Sequence, residues 1–206
     1  MKVLIIGSGG REHTLAWKVS QNSKVEKIYA IPGNPGIALL ADCINLDINN
    51  NQEIVKFALD NKIDLTIVGP EVPLTNGLVD ELAEVGLKAF GPTKVAAEIE
   101  GSKAFSKWLM KKYDIPTARF DVFEEAELAK KYVNELGAPI VIKADGLAAG
   151  KGVIIAQTIA EATEAIDSIM CDKAFGSAGH KVVIEEFLIG EEASILTFTD
   201  GETIVP

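Results

Sequence analysis

Residues 139 to 156 constrain the fold of this chain most. Pro139 to Ile142 is a short apolar run that ends on Lys143. Gly146, Gly150 and Gly152 then interrupt the chain before a second apolar run, Val153 to Ala156. The pattern predicts two buried strands joined by a glycine loop, a hairpin with a mobile tip. Glycines let backbone N–H groups wrap an anion, and Lys143 and Lys151 supply compact positive charge suited to phosphate oxygens. A flexible hairpin with two solvated lysines would use the same residues. The loop is not of the Gly-x-x-x-x-Gly-Lys-[Ser/Thr] type, because Lys151 is followed by Gly152 and an apolar strand instead of a hydroxyl and a helix.

Upstream, strand and helix patterns alternate. Lys2 to Ile6 is an apolar run that stops at Gly7-Ser8-Gly9-Gly10, and Arg11 to Ser20 follows as a helix with Leu15, Ala16 and Val19 on one side. Val25 to Ile31 is a second strand, closing on Pro32-Gly33-Asn34-Pro35-Gly36. A short strand at Ile44 to Leu46, a helix over Gln52 to Asn61, a strand over Ile63 to Val68, a helix over Thr75 to Val85, a strand at Lys88 to Phe90 and a helix from Thr93 to Glu100 complete the series. The alternation predicts a doubly wound, Rossmann-like α/β unit with a parallel sheet, in which ligands sit outside the carboxyl ends of the strands. The loops at Gly7 to Glu12, Pro32 to Asn34 and Gly69 to Glu71 all fall at such ends. The first turn offers free N–H groups and the positive end of a helix dipole to a phosphate, although close helix-to-strand packing explains it as well. Glu12 stands where a dinucleotide fingerprint has its third glycine. That argues against a pyrophosphate bridge and leaves room for a single phosphate beside Arg11.

From Gly101 onward the pattern changes. Ser102 to Tyr113 is a helix, Ala118 to Phe123 is extended, and Glu124 to Leu136 is an amphipathic helix. The glycine hairpin follows, then a helix over Glu161 to Ile169 and strands at Lys181 to Phe187 and Ala193 to Thr199 with a turn at Asp200-Gly201. This is an α+β order, so the expected division is residues 1–101 and 102–206, with a smaller subdomain at about 119–188. Lys103, Lys107, Lys111 and Lys112 recur at helical spacing, and the last three read as a solvated face. His13 suits packing or capping and His180 a loop, so neither is assigned as a general base. Trp17 and Trp108 read as core anchors, and Cys43 and Cys171 as reduced, small core residues. With 20 basic and 30 acidic residues the net charge is −10, which disfavours nucleic acid and anionic membranes as partners. No signal peptide or membrane-spanning run is apparent in the sequence, which predicts a cytoplasmic protein.

Several motifs occur in one order: Gly7-Ser8-Gly9-Gly10-Arg11-Glu12-His13, Pro32-Gly33-Asn34, Gly69-Pro70-Glu71-Val72-Pro73-Leu74, Gly101-Ser102-Lys103-Ala104-Phe105-Ser106-Lys107, Lys143 to Val153, and Glu185-Glu186-Phe187-Leu188-Ile189-Gly190-Glu191-Glu192-Ala193-Ser194. Over its whole length the chain thereby resembles the phosphoribosylamine–glycine ligase (glycinamide ribonucleotide synthetase) family of the ATP-grasp superfamily. The resemblance implies a Rossmann-like pre-ATP-grasp domain followed by an incomplete ATP-grasp domain. It implies ligation of glycine to 5-phosphoribosylamine through a glycyl phosphate, with ATP as a substrate cleaved to ADP and phosphate. Phosphorylation gives the carboxylate a leaving group, and catalysis is then positioning and charge neutralisation. Carried over residue by residue, Lys103 and Lys143 would hold phosphate oxygens. Gly146, Ala148, Ala149, Gly150, Lys151, Gly152 and Val153 would fold over the triphosphate. Glu185, Glu186, Phe187 and Leu188 would form the adenine hinge, and Glu192 would meet the ribose. Gly9, Gly10, Arg11, Asn34 and Glu71 would bind phosphoribosylamine.

The family also implies magnesium or manganese and a monomer, with the metal ligands expected beyond Pro206, so the 206-residue chain is expected to be an inactive fragment with an unpaired edge strand that invites self-association. Three other readings stand beside this one. They are a different ATP-grasp carboxylate–amine ligase of purine metabolism, a Rossmann oxidoreductase, and a non-catalytic nucleotide-binding module. Gly-Arg-Glu-His and Gly-Pro-Glu-Val-Pro-Leu oppose the first, and Glu12 opposes the second.

Overall fold

The structure is a computed structural model that describes residues 1–148, 151–172, 174 and 176–206. The first half runs β1 (Lys2–Gly7), α1 (Gly10–Ser20), β2 (Lys27–Pro32), β3 (Asp42–Cys43), α2 (Asn51–Asp60), β4 (Leu65–Val68), α3 (Glu71–Thr75), α4 (Leu78–Glu84), β5 (Ala89–Phe90) and α5 (Lys94–Gly101). Its strands form a five-stranded sheet in the order β3-β2-β1-β4-β5, parallel throughout. β1 is apolar without a break because both of its faces are covered. Leu4 and Ile6 pack with Ile31, Ile54, Leu78 and Leu82, whereas Val3 and Ile5 pack with Ala16, Ile28, Ala30 and Ile37. The doubly wound reading therefore holds.

The second half runs α6 (Lys103–Lys112), β6 (Phe120–Phe123), α7 (Ala126–Leu136), β7 (Ile140–Ala144), β8 (Val153–Ala156), α8 (Ile159–Ile166), β9 (Val182–Glu186), β10 (Phe198–Thr199) and β11 (Ile204–Val205). β6, β9, β7 and β8 form an antiparallel sheet in that order. One face is apolar: Ile140, Ile142, Ala144, Val182 and Ile184 pack against Ala129 and Val133 of α7 and Ala162 and Ile166 of α8. Strand alternation therefore turns Lys143 and Glu185 to the opposite face, and because Lys143 pairs with Val183 and Val141 with Glu185, the two charged residues are diagonal neighbours there.

Several elements differ from the sequence reading. The third strand is Asp42–Cys43 and not Ile44 to Leu46, whose apolar residues pack as a loop against the α2 side of the core. The helix expected over Thr75 to Val85 starts at Glu71 and is broken at Gly77, whose φ of +89° is left-handed. Pro73 fits because it lies in the first turn of α3. The helix expected over Glu161 to Ile169 starts at Ile159 behind the Thr158 cap and passes into a π-helical turn, Asp167–Cys171. Of the strand expected at Ala193 to Thr199 only Phe198–Thr199 forms, paired with β11; Ile195 and Leu196 lie exposed with no strand beside them among the described residues. Trp17 and Trp108 are 53% and 51% exposed on outer helix faces, so neither anchors the core. Both cysteines are free, as expected, but exposed.

A single residue joins the two halves along the helices. Ser102 closes α5 and caps α6, where its hydroxyl accepts the Phe105 N–H at 3.0 Å.

Candidate functional site

β1 and β4 are neighbours whose following helices begin at Gly10 and Glu71, so the turns 7–10 and 69–71 border one crevice at the carboxyl edge of the sheet. Glu12 is its floor. Its side chain is 6% exposed, and its Oε2 accepts the Gly9 N–H at 2.6 Å. A Cβ on Gly7 would stand 2.5 Å from Glu12 Cγ, and one on Gly69 would overlap the Glu12 carboxylate, so both glycines make room for this side chain. Glu12 thus spends one N–H of the turn that a pyrophosphate would need, which removes the dinucleotide reading. Asn34 is also engaged locally: its Nδ2 donates to Ser8 O at 2.8 Å, and its Oδ1 accepts the Ile37 N–H at 2.8 Å. Arg11 and Glu71 project from the two helix starts and approach to 3.6 Å, both well exposed. His13 packs its ring against Gly36.

The crevice opens into a cavity of about 790 Å³ that reaches the second sheet. Arg11, Glu71 and Val72 line one side. Ile99, Glu100, Lys103, Ser106 and Lys107 come from α5 and α6. Lys143, Glu185 and the glycine-loop residues Gly146, Leu147, Ala148, Gly152 and Val153 close the other side. Four cations face three carboxylates here, in a chain of net charge −10, so positive charge is concentrated where an anion would enter.

α6 supplies cations because Lys103 and Lys107 are one turn apart on one face. Lys103 Nζ donates to Gly146 O at 2.8 Å. Lys107 and Lys143 share one carboxylate, Lys107 Nζ lying 2.8 Å from Glu185 Oε2 and Lys143 Nζ 2.8 Å from Oε1. Asp145, at the start of the glycine loop, accepts the Ala104 N–H at 3.0 Å and the Ser102 hydroxyl at 3.1 Å, and so ties the loop to the α6 N-terminus.

Of the residues singled out in the sequence, the cavity gathers Arg11, Glu71, Lys103, Lys143, Gly146, Ala148, Gly152, Val153 and Glu185. Gly9 and Gly10 open α1 and Asn34 follows β2, and none of the three lines the cavity. Lys151, Glu186, Phe187, Leu188 and Glu192 do not line the cavity, and Ala149 and Gly150 lie outside the described residues. Glu186 faces away: Arg119 donates to it from the backbone N–H at 2.8 Å and from Nε at 3.0 Å, which holds its carboxyl below the usual range. The solvated face assigned to Lys107 is corrected. It is 8% exposed and ion-paired, and the signal was its one-turn spacing from Lys103. Asp145 and Ser102 were also missed, although Ser102 before a helical run is a cap signature.

The family model for the phosphoribosylglycinamide synthetase N domain matches residues 1–100, and that for its ATP-grasp (A) domain matches residues 101–206. The chain belongs to the phosphoribosylglycinamide synthetase family. A phosphoribosylamine–glycine ligase of Halalkalibacterium halodurans is 55% identical over 206 residues, which are all of this chain and 48% of that protein. The crystal structure of the phosphoribosylamine–glycine ligase of Thermotoga maritima has a TM-score of 0.82 at 32% identity, covering 100% of this chain and 48% of that one. The biotin carboxylase domain of the Hydrogenobacter thermophilus 2-oxoglutarate carboxylase, at TM-score 0.72 and 23% identity over 91% of this chain and 44% of that one, shares the fold alone. The chain spans about half the length of the curated relatives it matches.

Proposed function

We propose that this chain supplies the nucleotide and ribose-phosphate sites of an ATP-dependent ligase that joins glycine to 5-phosphoribosylamine. The observation that carries the reading is the convergence of Lys103, Lys107 and Lys143 on one cavity walled by the glycine loop and open toward Arg11. In this reading the triphosphate lies under Gly146 to Ala148 and Gly152, where Lys103 and Lys143 neutralise its oxygens. The adenine lies toward the end of β9, with the backbone of Glu186 to Leu188 beside it. The ribose phosphate of the amine substrate sits at Gly9, Gly10 and Arg11. Residues 1–101 then form the amine-binding unit and the remainder the nucleotide-binding unit.

The chemistry these residues serve is phosphorylation of the glycine carboxylate, followed by attack of the amine with phosphate leaving. The chain's part is to hold the two reactants at the two ends of one cavity. Relatives' chemistry implies a divalent metal, but among the described residues no group of three His, Cys, Asp or Glu is placed to hold one, and Glu185 is already held by two lysines. No step is assigned to a metal here. Small molecules are the partners in this reading, the protein acts as a cytoplasmic monomer, and the net charge of −10 opposes nucleic acid. Among the described helices none is long and apolar enough to cross a membrane.

The test is ADP release with glycine and freshly made phosphoribosylamine, using a polypeptide of the relatives' length that contains this segment. Turnover that requires both substrates is expected. ADP release indifferent to phosphoribosylamine, or satisfied by another carboxylate, would overturn the proposal.

A further inference from the structure

The Lys107–Glu185–Lys143 cluster is asymmetric. Glu185 and Lys107 have side chains 6% and 10% exposed, whereas Lys143, which lines the same cavity, is 25% exposed. Lys107 is fixed from behind, where its Nζ donates to Thr117 Oγ1 at 2.7 Å and lies 5.5 Å from the centre of the Phe120 ring. Lys143 has no such second partner among the described residues. One lysine is anchored and the other rests on its carboxylate.

We infer that Lys107 is a positioning residue that lets Lys143 exchange one anion for another. Lys143 lies on Glu185 in this structure and turns to a phosphate oxygen when a nucleotide binds, while Lys107 stays and keeps Glu185 paired. The inference rests on the reading that this cavity takes a nucleoside triphosphate. Its physical basis is the penalty of an unpaired buried charge. If Lys143 were the sole counter-charge, each phosphate contact it made would strand Glu185, so the lysine would be retained by its carboxylate. With Lys107 present, two cations share one anion. Lys143 is then the surplus charge, because it is the more exposed of the two and lacks the second partner that holds Lys107. The adenosine part of the ligand does not draw on this surplus, so the effect falls on the phosphates.

The experiment measures dissociation constants of ATP and adenosine by calorimetry on the 206-residue chain and three variants, Lys107→Met, Lys107→Arg and the double variant Lys107→Met/Glu185→Gln. Adenosine carries no phosphate, so the ratio of the adenosine to the ATP constant isolates the phosphate contribution. In Lys107→Met the ratio should fall roughly tenfold or more, the scale of one charge-assisted contact. Lys107→Arg should keep most of it. The double variant should recover it, because a neutral amide needs no counter-charge and leaves Lys143 free. An unchanged ratio in Lys107→Met, with both affinities falling together or neither falling, would overturn the inference alone, and so would a double variant no better than the single one. A wild-type chain that binds ATP no more tightly than adenosine would overturn the cavity reading itself, and the inference with it.

Discussion

Replacing Glu12 by alanine removes the floor of the crevice between β1 and β4. The wild-type carboxylate accepts the Gly9 N–H at 2.6 Å and is 6% exposed. A charge-assisted hydrogen bond of this kind contributes about 1.5–3 kcal/mol, and the buried methylene lost with it about 0.8 kcal/mol. Relief of carboxylate desolvation and the better helix propensity of alanine offset part of that. The expected net loss is roughly 2–3 kcal/mol, or about 5–10 °C in melting temperature for a domain of this size. Glu12→Gln keeps the shape and an acceptor for Gly9, so it should cost only about 1 kcal/mol. Urea unfolding at neutral pH measures both. A cycle with Gly69→Ala sharpens the test, because a Cβ there meets the Glu12 carboxylate. The alanine at 69 should destabilise the wild type clearly and the Glu12→Ala background much less. Glu12→Ala within about 0.5 kcal/mol of wild type, or strict additivity with Gly69→Ala, would refute the reasoning.

Asp145→Ala leaves the Ala104 N–H and the Ser102 hydroxyl without their acceptor and should destabilise by about 2 kcal/mol, with Asp145→Asn costing less; thermal melting of both checks this. Glu186 has its folded carboxyl held low, first by the Arg119 backbone N–H and then by its guanidinium. The stability it contributes is therefore present above the ordinary carboxylate range and is lost as pH falls through the folded value. Glu186→Gln should be less stable than wild type near pH 6 and converge with it as the pH falls below the ordinary carboxylate range and through the lowered folded value, read from urea midpoints; parallel profiles across that range would show the pairing to be unimportant.

The sheet of the first half was legible because β1 carries its whole message locally: Val3 to Ile6, apolar on both faces, then Gly7. The glycine hairpin was legible for the same reason, since Ile140 and Ile142 point inward and Lys143 outward by alternation alone. What escaped depended on contacts distant in sequence. Lys107 looks like its neighbours Lys111 and Lys112 until β9 places Glu185 above it. Trp17 and Trp108 invite burial by composition, but the helix faces that pack are occupied by smaller residues such as Ala16. The alternation at Ala193 to Thr199 promises a strand that has no partner to pair with among the described residues beyond Phe198–Thr199. Gly77 stood inside a helical pattern, and its left-handed φ is what divides α3 from α4.

The most direct measurement is a crystal structure of this chain with a non-hydrolysable ATP analogue. The triphosphate is expected in the cavity beneath the glycine loop, with Lys143 Nζ on a phosphate oxygen and Lys107 Nζ still on Glu185. Nucleotide bound elsewhere, or Lys143 still on Glu185 beside an occupied cavity, would contradict it.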